Sequence, residues 1–185
     1  MTTDATDQPD LAATFQHAGV AEAYAHRPPY PPEVFDVLTT LITGQPRTVL
    51  DLGAGEGALA RPLAGLVDQV DAVDISAAMI AAGRRRPGGD RSNLRWILGA
   101  AESAPLRGPY ALVTAGASLH WMSLPKTLPR VGNAMTQSAY FTVVEHDARD
   151  EPWESGLVEV IRRPSRHQSY TADFSVVDAL SASGL

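Results

Sequence analysis

Few stretches restrict a fold as tightly as Val49-Leu50-Asp51 running straight into Leu52-Gly53-Ala54-Gly55-Glu56-Gly57. Glycines at alternate positions let the backbone turn sharply and let a ligand approach it without Cβ interference. The helix expected to follow aims its amide N–H groups and positive dipole end at that ligand. One acid, Asp51, precedes the glycines, and a second, Asp74, closes the next apolar run, Val70-Asp71-Ala72-Val73-Asp74-Ile75. Two adjacent parallel strands ending in this way describe a nucleoside-binding crevice at their C-terminal ends.

The rest of the chain supports that frame. Val34, Val37, Leu38, Leu41 and Ile42 fall at helical spacing, behind Pro31 and Pro32 and ahead of Gly44. Strands are then expected at Thr48–Asp51, Val70–Asp74, Asn93–Leu98, Tyr110–Thr114 and Ala139–Val144. Helices are expected at Ala58–Val67, at Ser76–Arg85 with Ser76 as N-cap, and at Leu124–Ala134. Pro62 is awkward in the first of these unless it lies near the first turn. Further helices are expected at Leu11–Tyr24, around Trp153, Leu157, Val160 and Ile161, and at Phe174–Leu180. This alternation predicts an α/β fold, a doubly wound and mainly parallel sheet with helices on both faces. The domain reading is a tail and lid segment at 1–32, a core at 33–150 and a helical segment at 151–185.

A chain of 185 residues with 44% apolar content can bury a sizeable core. Its net charge of −6 argues against nucleic acid as a partner. The run Arg84-Arg85-Arg86 reads as a solvated helix end. With no cysteine, disulfides, thiolate catalysis and zinc–sulfur sites are excluded. No metal-ligand spacing is visible among the histidines. The polar first ten residues and the lack of a long apolar run predict neither a signal segment nor a membrane partner, and a cytoplasmic setting.

The spacing Gly53-x-Gly55-x-x-Ala58 also satisfies the dinucleotide fingerprint, so the glycines alone leave an NAD-dependent oxidoreductase open. Charge separates the two readings. Asp51 beside a pyrophosphate would add like-charge repulsion. Beside S-adenosylmethionine (SAM), which carries an ammonium and a sulfonium, it attracts, and Asp74 can accept both ribose hydroxyls.

These segments resemble a class I SAM-dependent methyltransferase of the type 11 small-molecule group. Residues 49–57 resemble the family's first motif, and Val73-Asp74-Ile75-Ser76-x-x-Met79 its second. Gly99–Leu106 resembles the segment bordering adenine, and Ser118-Leu119-His120-Trp121 the segment facing the methyl group. Tyr24-x-x-x-Pro28-x-Tyr30-Pro31 resembles the N-terminal lid. The resemblance implies SAM as cofactor, held by Asp51, Gly53, Ala54, Gly55, Asp74, Ile75, Met79, Ala101 and Glu102. It implies methyl transfer to a small-molecule acceptor by in-line displacement. Departures are Ala100, where many relatives carry Asp, and Ala111, where an acid is common. The chain also stops at Leu185, where a sixth strand would begin.

That early stop leaves a second reading, a SAM-binding or interaction module without catalysis, in which an open fifth-strand edge invites a homodimer. His120 is the candidate catalytic base, because imidazole titrates near neutrality, or else a polar wall beside Trp121. Tyr24, Arg27 and Tyr30 either close over the cofactor or form a polar surface strip.

Overall fold

The computed structural model describes residues 27–145. Every element in that range lies in the first of the two units into which the chain divides, which ends at Val144. The expected helices before residue 27 and after residue 145 lie outside the described residues.

Helix α1 (Pro32–Thr40) starts with Pro at its first position and Glu33 in its first turn, and the N–H that Pro32 lacks has no partner to lose there. It ends before Gly44, and the Thr39 and Thr40 hydroxyls donate back to carbonyls of its last turns. Strand β1 (Thr48–Leu52) is buried along all but its first residue. Helix α2 is short, Ala60–Leu63, where Ala58–Val67 was expected. Pro62 and Gly65 explain the loss: Pro62 has no N–H to give to the Ala58 carbonyl, and Gly65 closes the turn on the Pro62 carbonyl at 2.9 Å. Strand β2 (Gln69–Asp74) and helix α3 (Ala77–Arg85) follow as expected, with the Ser76 hydroxyl accepting the Met79 N–H at 3.3 Å.

Strand β3 (Leu94–Leu98) and strand β4 (Tyr110–Gly116) come next, β4 running two residues past the expected Thr114. A 3-10 turn (Leu119–Trp121) leads to helix α4 (Leu124–Asn133), and strand β5 (Met135–Val144) closes the series. β5 begins earlier than the expected Ala139. Its polar start, Met135-Thr136-Gln137-Ser138, pairs irregularly: Tyr110 meets Met135, but Leu112 meets Tyr140.

The sheet has five strands in the order β3-β2-β1-β4-β5, and every pairing is parallel. Its chain path runs outward in one direction through β2 and β3, then restarts beside β1 and runs the other way. Right-handed crossovers therefore put α2 and α3 on one face and α4 on the other. One face packs Val49, Val70, Ala72, Leu94 and Leu112 against Leu38, Leu59 and Leu63. The alternate residues Leu50, Leu52, Val73, Val113 and Ala115 fill the second face, and all are essentially inaccessible to solvent. The doubly wound architecture expected from sequence is the one observed. No helix among the described residues is long and apolar enough to cross a membrane.

One polar cluster braces the second face. Arg95 pairs with Asp71 through two hydrogen bonds, Nε to Oδ1 at 2.8 Å and Nη2 to Oδ2. The Tyr110 hydroxyl donates to the same Asp71 Oδ2 at 2.5 Å. Burial and the neighbouring Asp71 push the Tyr110 phenol up to about 12. The group ties β2, β3 and β4 together and lies near the starts of β3 and β4, away from the glycine loop.

Candidate cofactor-binding site

The order of strands reverses between β1 and β4, and loops that leave neighbouring strands in opposite directions open a crevice there. The glycine loop forms one wall. Gly53, Gly55 and Gly57 have φ of 63°, 56° and 79°, the left-handed region that only glycine enters without strain. A Cβ on Gly53 would stand 2.6 Å from the Ser118 Cβ, and one on Gly57 2.6 Å from the Trp96 ring. The loop is thus pressed between the segment after β4 and the core beneath α3. Ala54 donates its N–H to the Val73 carbonyl at 2.9 Å, which stitches the loop to the end of β2.

Asp74 stands at that end. Its Oδ2 accepts the Gly55 N–H and its Oδ1 the Ser76 N–H, each at 2.7 Å. Burial raises its carboxyl above the ordinary value, and the two N–H bonds oppose the rise. Each oxygen keeps further acceptor capacity, because a carboxylate has about four lone-pair sites. Asp51 sits one strand over, 1% exposed, on the face it shares with Thr114, its register partner on β4. The Thr114 hydroxyl donates to Asp51 Oδ1 at 2.8 Å, while Oδ2 makes no hydrogen bond. Burial pushes the Asp51 carboxyl up to about 7; hydrogen bonding from Thr114 and from the Ala60 backbone N–H holds it back, and the Asp74 charge adds to the rise.

The sequence-derived residues divide into three groups. Asp51, Gly53, Ala54, Gly55 and Asp74 converge at the carboxyl ends of β1 and β2, with partly exposed Ile75 beside them. Met79 lies underneath: it is 2% exposed, and its Cε is 3.2 Å from where a Gly55 Cβ would be. It props the loop from below. Ala101 and Glu102 lie in the turn after β3, and the Glu102 carboxylate accepts the Ser123 N–H at 2.7 Å. His120 is exposed within the 3-10 turn, its ring 4.6 Å from that of Trp121. Desolvation and then the Arg27 charge lower its pKa, which favours the neutral imidazole. The Tyr30 hydroxyl reaches the end of β4, 2.9 Å from the Cβ position of Gly116. Tyr24 lies outside the described residues.

Three supporting residues carry no signal that sequence reading could weigh. The Ser118 hydroxyl donates to the Leu52 carbonyl at 2.7 Å. Arg130 of α4 donates to the Ala101 and Ala104 carbonyls, both at 2.7 Å. Ala117 adopts φ 47°, a strained value for a residue with a Cβ, next to the end of β4. Ser118 belongs to a segment singled out for its neighbours, and Arg130 reads as an ordinary solvated helix residue.

Comparison with known proteins agrees with this fold. Residues 49–138 match the family described as a methyltransferase domain. No curated protein sequence matches the chain. Among solved structures, a protein assigned as a SAM-dependent methyltransferase from Methanococcus maripaludis aligns with a TM-score of 0.66 at 16% identity, over 99% of this chain and 86% of that one. The CcbJ methyltransferase from Streptomyces caelestis aligns with a TM-score of 0.56 at 23% identity, over 74% and 58%. The glycopeptide N-methyltransferase MtfA, solved with sinefungin, aligns with a TM-score of 0.54 at 20% identity, over 64% and 50%. At such identities the likeness is one of fold, and the chain spans 56% to 64% of the length of the first three such structures. The family match and the fold point the same way: residues 49–138 match the methyltransferase-domain family, and the five-stranded parallel sheet has the Rossmann-like fold of these methyltransferase structures.

Proposed function

We propose that this protein binds SAM at the carboxyl ends of β1 and β2 and catalyses methyl transfer to a small-molecule acceptor. The observation that carries the reading is the pairing of a left-handed glycine cradle with two buried acids, Asp51 and Asp74, at adjacent strand ends. The residues fit such a ligand. Asp51 Oδ2 is a buried oxygen without a hydrogen bond, and a cationic donor nearby favours its charged form. Asp74 is held in place by two backbone N–H groups and has lone pairs left for ribose hydroxyls. Ile75 flanks that position, while Ala101 and Glu102 border the adenine side. The family fold and MtfA, which was solved with the SAM analogue sinefungin, favour this cofactor over NAD.

SAM supplies a methyl group already activated by its sulfonium. The protein's task is alignment, and holding donor and acceptor in line can supply roughly 7–11 kcal/mol. In this reading Gly53 and Gly55 let the backbone close on the donor. His120 and Trp121 line the acceptor side, with Leu119 buried beneath them. His120, its neutral form favoured by desolvation, takes a proton from acceptors that must lose one. The glycopeptide in the name of MtfA, a protein of similar fold, is in keeping with a small-molecule acceptor here. The test is transfer of a labelled methyl group from SAM to the components of a whole-cell extract. Label recovered in a low-mass product supports the reading, and label confined to protein or nucleic acid contradicts it.

A further inference from the structure

We infer that residues 118–123 form a strap through which cofactor occupancy sets the acceptor side of the site, with Glu102 as a positioning residue. The inference rests on the SAM reading above and goes beyond it. The strap is pinned at both ends, and each pin is a different cofactor loop. At its start, Ser118 donates to the Leu52 carbonyl at 2.7 Å and presses on Gly53, whose Cβ position is 2.6 Å from the Ser118 Cβ and 3.0 Å from the Met122 Cε. At its end, the Ser123 N–H is taken by Glu102 at 2.7 Å.

The Glu102 loop is itself rigid. Arg130 forks onto the Ala101 and Ala104 carbonyls, so the loop and α4 move as one piece. Glu102 also faces the start of α4, where Ser123 provides no side-chain cap and a carboxylate complements the helix dipole. Between the pins there is no slack. Trp121 and Met122 donate to the Ser118 and Leu119 carbonyls, and Ala117, at φ 47°, is fixed to the Val144 carbonyl at 2.9 Å. His120 and Trp121 lie on this taut segment. A ligand that shifts the glycine loop or the Glu102 loop therefore displaces both rings, and the two half-sites are energetically coupled.

The fluorescence of Trp121 reads the strap directly. The chain has three tryptophans, so the Trp121 component is isolated by difference from Trp121→Phe. Titration of the full chain with sinefungin is expected to change that component. Glu102→Ala should abolish the change at saturating sinefungin, while Glu102→Gln, which keeps an acceptor oxygen, should retain it. Ser118→Ala, which releases the other pin, should also suppress it. A purely structural role for Glu102 would lower the melting temperature and leave the ligand-induced signal intact. A full Trp121 response in folded Glu102→Ala and Ser118→Ala overturns the strap. Absence of sinefungin binding to the wild type overturns the SAM reading, and the strap with it.

Discussion

Asp51 is the residue whose environment makes the most specific demand. Its carboxyl is raised from 3.8 to about 7, first by burial. Between those values the folded protein holds a proton that the unfolded chain has released. Stability therefore falls as pH rises across that window and levels off above about 7. Asp51→Asn keeps the shape and removes the titration. Unfolding free energies from denaturant titration at pH 5 and pH 8 should differ less in Asp51→Asn than in wild type, by an amount on the order of a few kcal/mol. Equal pH dependence in both proteins would show that Asp51 ionises normally. The importance of Asp51 and Asp74 was legible in the sequence, because an acid at a strand end beside glycines has few structural reasons to exist. Their hydrogen bonds were not. Thr114 reaches Asp51 from a strand 63 positions away, and no local pattern announces such a partner.

At the scale of elements, the glycine loop and α3 fit each other through missing side chains. Gly83 lies inside α3, where replacing glycine by alanine ordinarily stabilises by about 1 kcal/mol. Here a Cβ would meet the Trp96 ring at 2.5 Å and the Glu56 carbonyl at 2.7 Å. Gly83→Ala should therefore destabilise, by roughly 1–3 kcal/mol, and thermal melting would decide the sign. Gly53→Ala should cost more than Gly55→Ala, since Gly53 meets a buried serine and Gly55 only the flexible end of Met79. Comparable melting temperatures for those two variants would contradict the packing described. Strands β1 and β2 were readable almost to the residue, because a strand buried on both faces is a near-continuous apolar run. α2 and β5 were not. Pro62 and Gly65 shorten a helix whose apolar spacing continues, and the polar start of β5 disguises a strand that pairs through an irregular register.

For the molecule as a whole, the alternation of strands and helices was enough to foresee a doubly wound sheet, but not its order. Order follows from which edge each crossover returns to, and that depends on contacts far apart in the chain. The order observed places the switch point beside the glycine loop, which is why one crevice gathers residues from three strands. A ligand that binds only the folded state stabilises it by mass action, about 2.7 kcal/mol at a hundredfold excess over Kd. SAM should accordingly raise the melting temperature by roughly 5–10 °C, and NAD should leave it unchanged.

Calorimetric titration of the full chain and of Asp74→Ala with SAM tests the central claim most directly. The crevice described here predicts single-site binding to the wild type, weakened about tenfold to a hundredfold in Asp74→Ala by the loss of charged hydrogen bonds. Undiminished affinity in the folded variant, or heat with NAD and none with SAM, would contradict it.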